Sequence, residues 1–243
     1  MREFIYGRNP VYEVLRAGHR QVFRLQLAEG ILERGRLIEV LELCRARRIP
    51  IQPVPRSQLD KISDSHQGLA LETSAYPYAG MEEILDRSRS LGQPLFILLL
   101  DTLQNPQNLG TLIRTAEAVG VHGVLIPAHR AAQVTPAVVS ASAGACEHML
   151  ITAVNLAQAI LTLKEAGAWV VGLEAGPEAK ELAEVRLDGP LALVVGGEGE
   201  GLRPLVARSC DTLLRLPMLG QVESLNAAVA GSVVLYMALL ARA

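Results

Sequence analysis

The chain has 243 residues, half of them hydrophobic and a fifth charged, with a net charge of −2 and a mean hydropathy of +0.26. That composition excludes a disordered chain, which could not bury enough apolar surface to offset its ordering entropy. With 13 Pro, 21 Gly and no G-X-Y period, it also excludes a collagen-like or low-complexity protein. In chain order, Asn9-Pro10-Val11 opens a helix with Pro in its first turn. A short strand follows at 22–27, then a helix at 32–47 with apolar residues Leu37, Ile38, Leu41 and Cys44 on one face, then a second strand at 49–54. Periodicity stops at Tyr76-Pro77-Tyr78-Ala79-Gly80. The reading is a small α/β domain over 1–73, a linker over 74–80 and a second domain over 81–243.

In the second domain a helix at 82–91 precedes Phe96–Leu100, a nearly all-apolar run of the kind buried on both faces of a parallel sheet. Similar runs recur at 123–126, 169–173, 191–195 and 212–216, with helical stretches at 109–119, 157–166 and 225–241. Strands alternating with helices predict an α/β fold with a parallel sheet. The N-terminus has no apolar h-region, and no apolar run approaches the ~20 residues of a bilayer span, so a soluble cytoplasmic protein without membrane contact is expected. Cys44, Cys146 and Cys210 are odd in number without C-x-x-C spacing and read as buried free thiols; no metal site is expected. Residues 1–73 carry twelve bases against nine acids, a balance of +3, and the remainder carries −5. An anionic polymer touching the first half through Arg8, Arg20, Arg24 and Arg36 is the expectation.

Ligands of such sheets sit beyond the carboxyl ends of the strands, so the loops there carry the information. After Phe96–Leu100 come Asn105-Pro106-Gln107-Asn108-Leu109-Gly110 and then Arg114, with Asn108 placed to cap the helix. After Leu191–Val195 come Gly196-Gly197-Glu198-Gly199-Glu200-Gly201-Leu202. This loop fails the G-x-G-x-x-G register and lacks a P-loop Lys-Ser/Thr pair, and its two carboxylates would repel a pyrophosphate. It suits close main-chain contact with an uncharged or cationic ligand. After 212–216 come Pro217-Met218-Leu219-Gly220, then Ser224, which looks like an N-cap, and Asn226 in the first helical turn.

The three motifs, N-P-x-N-L-G-x-x-x-R over 105–114, G-x-E-G-x-G-L over 196–202 and L-P-M-x-G-x-V-x-S-L-N over 216–226, resemble in order and spacing those of the SpoU (TrmH) family. The first domain's Ile5-Tyr6-Gly7-Arg8-Asn9-Pro10-Val11 and His66-Gln67-Gly68 are similar to the family's L30e-like substrate-binding domain. The resemblance implies an α/β protein whose C-terminal SPOUT-type, trefoil-knotted parallel-sheet domain follows a small L30e-like α/β domain. It further implies an S-adenosylmethionine-dependent, metal-free RNA ribose 2′-O-methyltransferase, within the subgroup acting on a guanosine in the peptidyl-tRNA loop of 23S ribosomal RNA. The alternatives are a tRNA 2′-O-methyltransferase or a non-catalytic RNA-binding protein. Carried over residue by residue, it places the cofactor against Gly196, Gly201, Leu216, Met218 and Leu225, and the chemistry at Arg114 with Asn108, Glu198, Ser224 and Asn226. It also implies a homodimer built on the C-terminal helix, with active sites that combine both chains. One departure is Ala228, where members often carry Ser.

Overall fold

The computed structural model describes residues 2–176, 178–197, 199, 201–222 and 224–242. Two compact units are present, Met1–Pro77 with Val134–His148, and Tyr78–Gln133 with Met149–Ala243. The chain begins with β1 (Arg2–Tyr6), α1 (Arg8–Ala17), β2 (Val22–Ala28), α2 (Arg36–Ala46), β3 (Ile51–Val54), α3 (Arg56–Asp60) and β4 (Leu69–Ser74). It continues through α4 (Met81–Leu91), β5 (Phe96–Leu100), α5 (Pro106–Ala118), β6 (Gly123–Pro127), α6 (Pro136–Ala141), β7 (Ile151–Val154), α7 (Leu156–Glu165), β8 (Trp169–Leu173) and the short β9 (Lys180–Glu181). It closes with β10 (Leu191–Val195), α8 (Pro204–Ser209), β11 (Thr212–Arg215) and α9 (Ala227–Arg242).

In the second unit a parallel sheet runs in the order β7-β6-β5-β10-β8-β11-β9. Every residue of β5, β6 and β10 is buried, because helices cover both faces; this explains their continuous apolar runs. Apolar side chains of these strands pack against Leu156, Ile160 and Leu163 of α7 and Ile84 of α4. Each such burial contributes roughly 1.5–3 kcal/mol. Among the described residues no helix is long and apolar enough to cross a membrane.

In the first unit the sheet order is β1-β4-β2-β3, with β4 antiparallel to both neighbours. The sequence reading lacks β4 because its Leu-Ala-Leu-Glu-Thr-Ser run is buried despite its polar residues. Glu72 is tolerated there because both adjacent strands neutralise it, through Arg2 Nη1 at 2.6 Å and Arg24 Nε at 2.5 Å.

Val134–His148 packs with this first unit, although it follows β6 in the chain. The side chains of Arg20 and Glu147 are fully buried, and Arg20 Nε donates to both carboxylate oxygens of Glu147 at 3.0 and 3.1 Å. Arg20 Nη1 donates to Glu3 at 2.7 Å, and the Tyr76 hydroxyl donates to the Cys146 carbonyl at 3.2 Å.

Three expectations change accordingly. Arg20 does not face an RNA, because it is buried against carboxylates. Residues 74–80 are built into the packing: Tyr76 is buried, and the Ala79 amide donates to the Ile151 carbonyl at 2.8 Å. The chain passes between the units after Pro77, Gln133 and His148, so a single cut near Met81 would strip 134–148 of its partners.

Removing one member of a buried ion pair leaves an uncompensated charge, which costs about 3–5 kcal/mol. Arg20→Ala and Glu147→Ala should each lower the stability of the full chain by about that amount, read as a drop in the urea midpoint. Replacing both by apolar residues of similar volume should recover most of the loss. Midpoints unchanged by either single substitution would contradict this role for the pair.

Candidate active site

Register decides where the loops emerge. Leu100, Val195 and Leu173 lie side by side at the ends of β5, β10 and β8, and Leu214 of β11 stands opposite Leu173. The polypeptide therefore leaves all four strands at one edge, through Asp101, Gly196, Glu174 and Leu216. A cleft of about 240 Å³ opens there between the ends of β8, β10 and β11 and the start of α9. Gly196, Gly201, Leu216, Met218 and Leu225 all line it, as does Ser224.

The loop after β10 is held closed by its own backbone, since the amides of Gly197 and Gly201 each donate to the other's carbonyl at 3.2 Å. The close approach leaves no room for side chains at two positions. A Cβ on Gly196 would lie 2.4 Å from the Gly201 carbonyl carbon, and one on Gly201 2.5 Å from the Glu174 carboxylate. Glu174 accepts the Leu202 amide at 2.8 Å, so its carboxylate braces the loop and faces the cleft. On the β5 side, Asp101 is fully buried and takes the Arg203 amide at 2.8 Å and its Nε at 2.7 Å, which fixes the loop's exit into α8. Glycine main chain, apolar side chains and a carboxylate suit a ligand with a flat uncharged part and a cationic centre, and they disfavour a phosphate.

The first and third motifs meet through side chains. Asn226 Oδ1 accepts the amides of Ala228 and Val229 at 2.9 and 3.2 Å, and its Nδ2 donates to Asn108 Oδ1 at 3.2 Å. Asn226 therefore caps α9, where the sequence suggests Ser224. On α5 the cap is Asn105, whose side chain accepts the Gln107 amide at 2.9 Å, where the sequence suggests Asn108. Pro106 occupies the first turn, so the helix starts earlier and carries Asn108 inward as a buried residue. Two further contacts extend the seam: Thr115 and Ser232 hydroxyls lie 2.9 Å apart, and a Cβ on Gly231 would sit 2.6 Å from Leu112.

Arg114 stands apart. At roughly 100° per residue it projects about a third of a turn from the face of α5 that carries Asn108, Leu112 and Thr115. It is exposed, makes no hydrogen bond or ion pair with a described residue, and does not line the cleft. Glu198 lies outside the described residues. Burial pushes the thiols up, Cys44 to about 11 and Cys146 and Cys210 to about 12, so none is a thiolate near neutral pH. The sequence reading missed Glu174, Asp101 and Arg203. The first two each follow a buried strand directly, a position that marks them by the same rule that marked the other loops.

Residues 95–236 match the SpoU rRNA Methylase family, and residues 4–79 match the RNA 2′-O ribose methyltransferase substrate-binding domain. The chain belongs to the SpoU family of RNA methyltransferases. It is 40% identical over 236 residues to YacO, a TrmH family tRNA/rRNA methyltransferase of Bacillus subtilis (strain 168), covering 96% of this chain and 94% of that protein. A TrmH family tRNA/rRNA methyltransferase of Staphylococcus aureus (strain COL) is 40% identical over 234 residues, covering 96% and 93%. In structure the chain is similar to the SpoU methyltransferase AviRb from Streptomyces viridochromogenes, crystallised with AdoMet, with a TM-score of 0.81 over 98% of this chain and 90% of that one. Identity there is 23%, a likeness of fold. An RNA 2′-O ribose methyltransferase structure matches with a TM-score of 0.78 and 27% identity, over 99% and 88%.

The two roles of Asn226 can be separated. Asn226→Ala removes both the cap and the bond to Asn108, and should destabilise the chain by about 1–2 kcal/mol. Asn226→Asp keeps the capping oxygen and loses only the donor, so it should stay closer to the parent in urea denaturation. Equal losses for the two variants would mean that Asn226 does not cap α9.

Proposed function

We propose that this chain methylates a ribose 2′-hydroxyl of RNA, that of a guanosine in the peptidyl-tRNA loop of 23S ribosomal RNA, using S-adenosylmethionine. The observation that carries this reading is the cleft. Residues from the second and third motifs line it, the first motif is tied to its rim by the Asn108–Asn226 bond, and Gly196 and Gly201 leave a cradle that side chains would fill. Gly196, Gly201, Leu216, Met218 and Leu225 hold the cofactor through main chain and apolar contact, and the Glu174 carboxylate complements its positive charge. When bound there, S-adenosylmethionine supplies an electrophilic methyl group. The return of α9 onto α5 after β11 is in keeping with the family's trefoil knot.

A ribose hydroxyl is a weak nucleophile and must shed its proton as the new O–C bond forms. Arg114 is not the base, since a guanidinium is a poor proton acceptor. Its role is to grip the target phosphate and polarise the hydroxyl, which fits its exposed position away from the cofactor cleft. Ser224 and Asn226 orient the ribose, Asn108 fixes Asn226, and Glu198 steadies Arg114. The cytoplasm, where ribosomal RNA is made and modified in bacteria such as those of its relatives, is the compartment this reading implies.

The test is transfer of labelled methyl groups to in vitro transcripts of the 23S peptidyl-tRNA loop and of tRNA, with the product mapped by mass spectrometry. The 23S transcript should gain one 2′-O-methylguanosine. Labelling of tRNA alone would move the substrate to tRNA, and no labelling of either would refute the reading. Arg114→Ala should abolish transfer while cofactor binding persists, and Arg114→Lys should rescue poorly because a point charge cannot reproduce a planar fork. A matching loss of cofactor affinity would place Arg114 on the wrong side of the site.

α9 also carries Val229, Val233, Tyr236, Met237 and Leu240 exposed along one stripe, at a spacing of four, three, one and three residues. Such a stripe suits a symmetric partner, and a homodimer through α9 completes the proposal by bringing Arg114 of one chain near the cleft of the other. Val233→Asp with Tyr236→Glu should convert a dimer to a monomer in sedimentation equilibrium and suppress transfer. A parent protein that sediments as a monomer would remove the dimer from the reading.

A further inference from the structure

Among the described residues of the second unit, two that are not glycine hold a left-handed backbone, Thr102 at φ +56° and Arg130 at φ +59°. That conformation strains any L side chain, a β-branched one most of all. Both stand at the edge of the sheet where the cofactor cleft opens. Thr102 follows β5 by two residues, and Arg130 follows β6 by three. Leu99 lies beside Leu125 in the ladder, so Pro127 ends β6 level with Asp101. Strain that the surrounding structure maintains at strand ends points to function there.

The loop that carries Arg130 is braced by hydrogen bonds. The Gln133 side-chain amide closes it, donating to the carbonyls of Pro127 at 3.0 Å and Ala131 at 3.3 Å, and Gln133 Oε1 accepts the Tyr78 hydroxyl at 3.2 Å. The Ala132 amide donates to the Leu103 carbonyl at 2.8 Å, which ties this loop to the one entering α5. That second loop abuts the glycine loop in turn, since a Cβ on Gly197 would lie 2.9 Å from the Thr102 carbonyl oxygen. The loops after β6, β5 and β10 therefore form one continuous rim. Arg130 and its neighbour His129 are exposed on it, and neither is set against a described carboxylate. Asp101, on the next loop, is already taken by Arg203. Arg87, Lys180 and Arg208 of this unit are unpaired as well; what distinguishes Arg130 is its place on a strained, braced turn at the edge of the cleft.

We infer, on the reading that the substrate is RNA, that Arg130 grips a backbone phosphate one or two nucleotides from the ribose that is methylated. The RNA then lies along the rim, from the loop after β10 across β5 to β6. Adjacent strands are about 4.8 Å apart, which puts the loop after β6 roughly 10 Å from the glycine loop. One or two nucleotides span that distance. A guanidinium suits a phosphate because its planar fork can donate two parallel hydrogen bonds to it. The turn beneath Arg130 is ordered before RNA arrives, so less ordering entropy is lost on binding.

The test compares the full-length parent with Arg130→Gln, Arg130→Gly and, as a charge-matched control, Arg208→Gln. Arg208 is exposed near the end of α8, which leads to the opposite edge of the sheet at the start of β11. Filter binding to transcripts of the 23S peptidyl-tRNA loop and of tRNA is followed from about 50 to about 200 mM salt, and methyl transfer is resolved into kcat and KM. Arg130→Gln should raise the Kd and KM for RNA about tenfold and flatten the slope of log affinity against log salt by about 0.7, with S-adenosylmethionine affinity unchanged. Arg130→Gly should lose RNA affinity equally while its urea midpoint stays at or above the parent's, because glycine relieves the turn. The control should change neither quantity. In synthetic RNA, a methylphosphonate at the gripped phosphate should weaken the parent and leave Arg130→Gln no weaker than before. Equal effects of Arg130→Gln and Arg208→Gln, an unchanged salt slope, or a fall in kcat with RNA binding intact would overturn the inference and leave the methyltransferase reading standing. Methylphosphonates that weaken parent and Arg130→Gln alike at every position flanking the ribose would do the same. Failure to methylate any transcript, with Arg130→Gln still selectively weakening RNA binding, would overturn the reading of the reaction and keep Arg130 as an RNA contact. A parent that binds neither RNA would overturn both.

Discussion

The flush carboxyl ends of β5, β10, β8 and β11 govern this protein. In a parallel ladder, hydrogen bonding fixes which residues stand side by side, and strands buried on both faces cannot slip without carrying polar groups inward. Because Leu100, Val195 and Leu173 are aligned, the first polar residues after each strand arrive together. One of them, Asp101, is then used to hold Arg203 and with it the end of the glycine loop. The cleft is thus a consequence of register, secured by two carboxylates that touch loop amides.

A second constraint lies in how arginine is used. Where a guanidinium is buried or laid along the sheet it is matched to a carboxylate, as with Arg20 and Glu147 or Arg24 and Glu72. Arg8, Arg34, Arg47, Arg48, Arg56 and Arg114 are among those that pair with no described carboxylate, and each is at least partly accessible to solvent. The formal balance of the first 73 residues is a poor guide to exposed charge, because six of its twelve bases are paired with carboxylates.

The segment Val134–His148 belongs to the first unit, although no boundary in the sequence suggests it. Its short helix and the turn at Ala145–His148 complete the core of the first unit, with Glu147 as the buried anchor. A family match that runs without a break from 95 to 236 therefore spans residues that pack in two places.

The sequence by itself determined the alternating α/β order, the all-apolar strands at Phe96–Leu100 and Leu191–Val195, and the loops that follow them. These depend on local periodicity and on the absence of polar groups from doubly buried strands. Periodicity and strand ends mark the loops alone; Gly196, Gly201, Leu216, Met218 and Leu225, which line the cleft there, are named by the resemblance of the motifs to the family. Only the tertiary structure decided that Asn226 rather than Ser224 caps α9, that Asn108 lies inside its helix, that Glu72 belongs in a strand, and that Glu174 braces the glycine loop. Each depends on a partner far away in the chain, 118 residues for Asn226 and Asn108 and 28 for Glu174 and Leu202. A charged or amide side chain looks the same in sequence whether it faces water or a distant partner, and burial alone makes the difference.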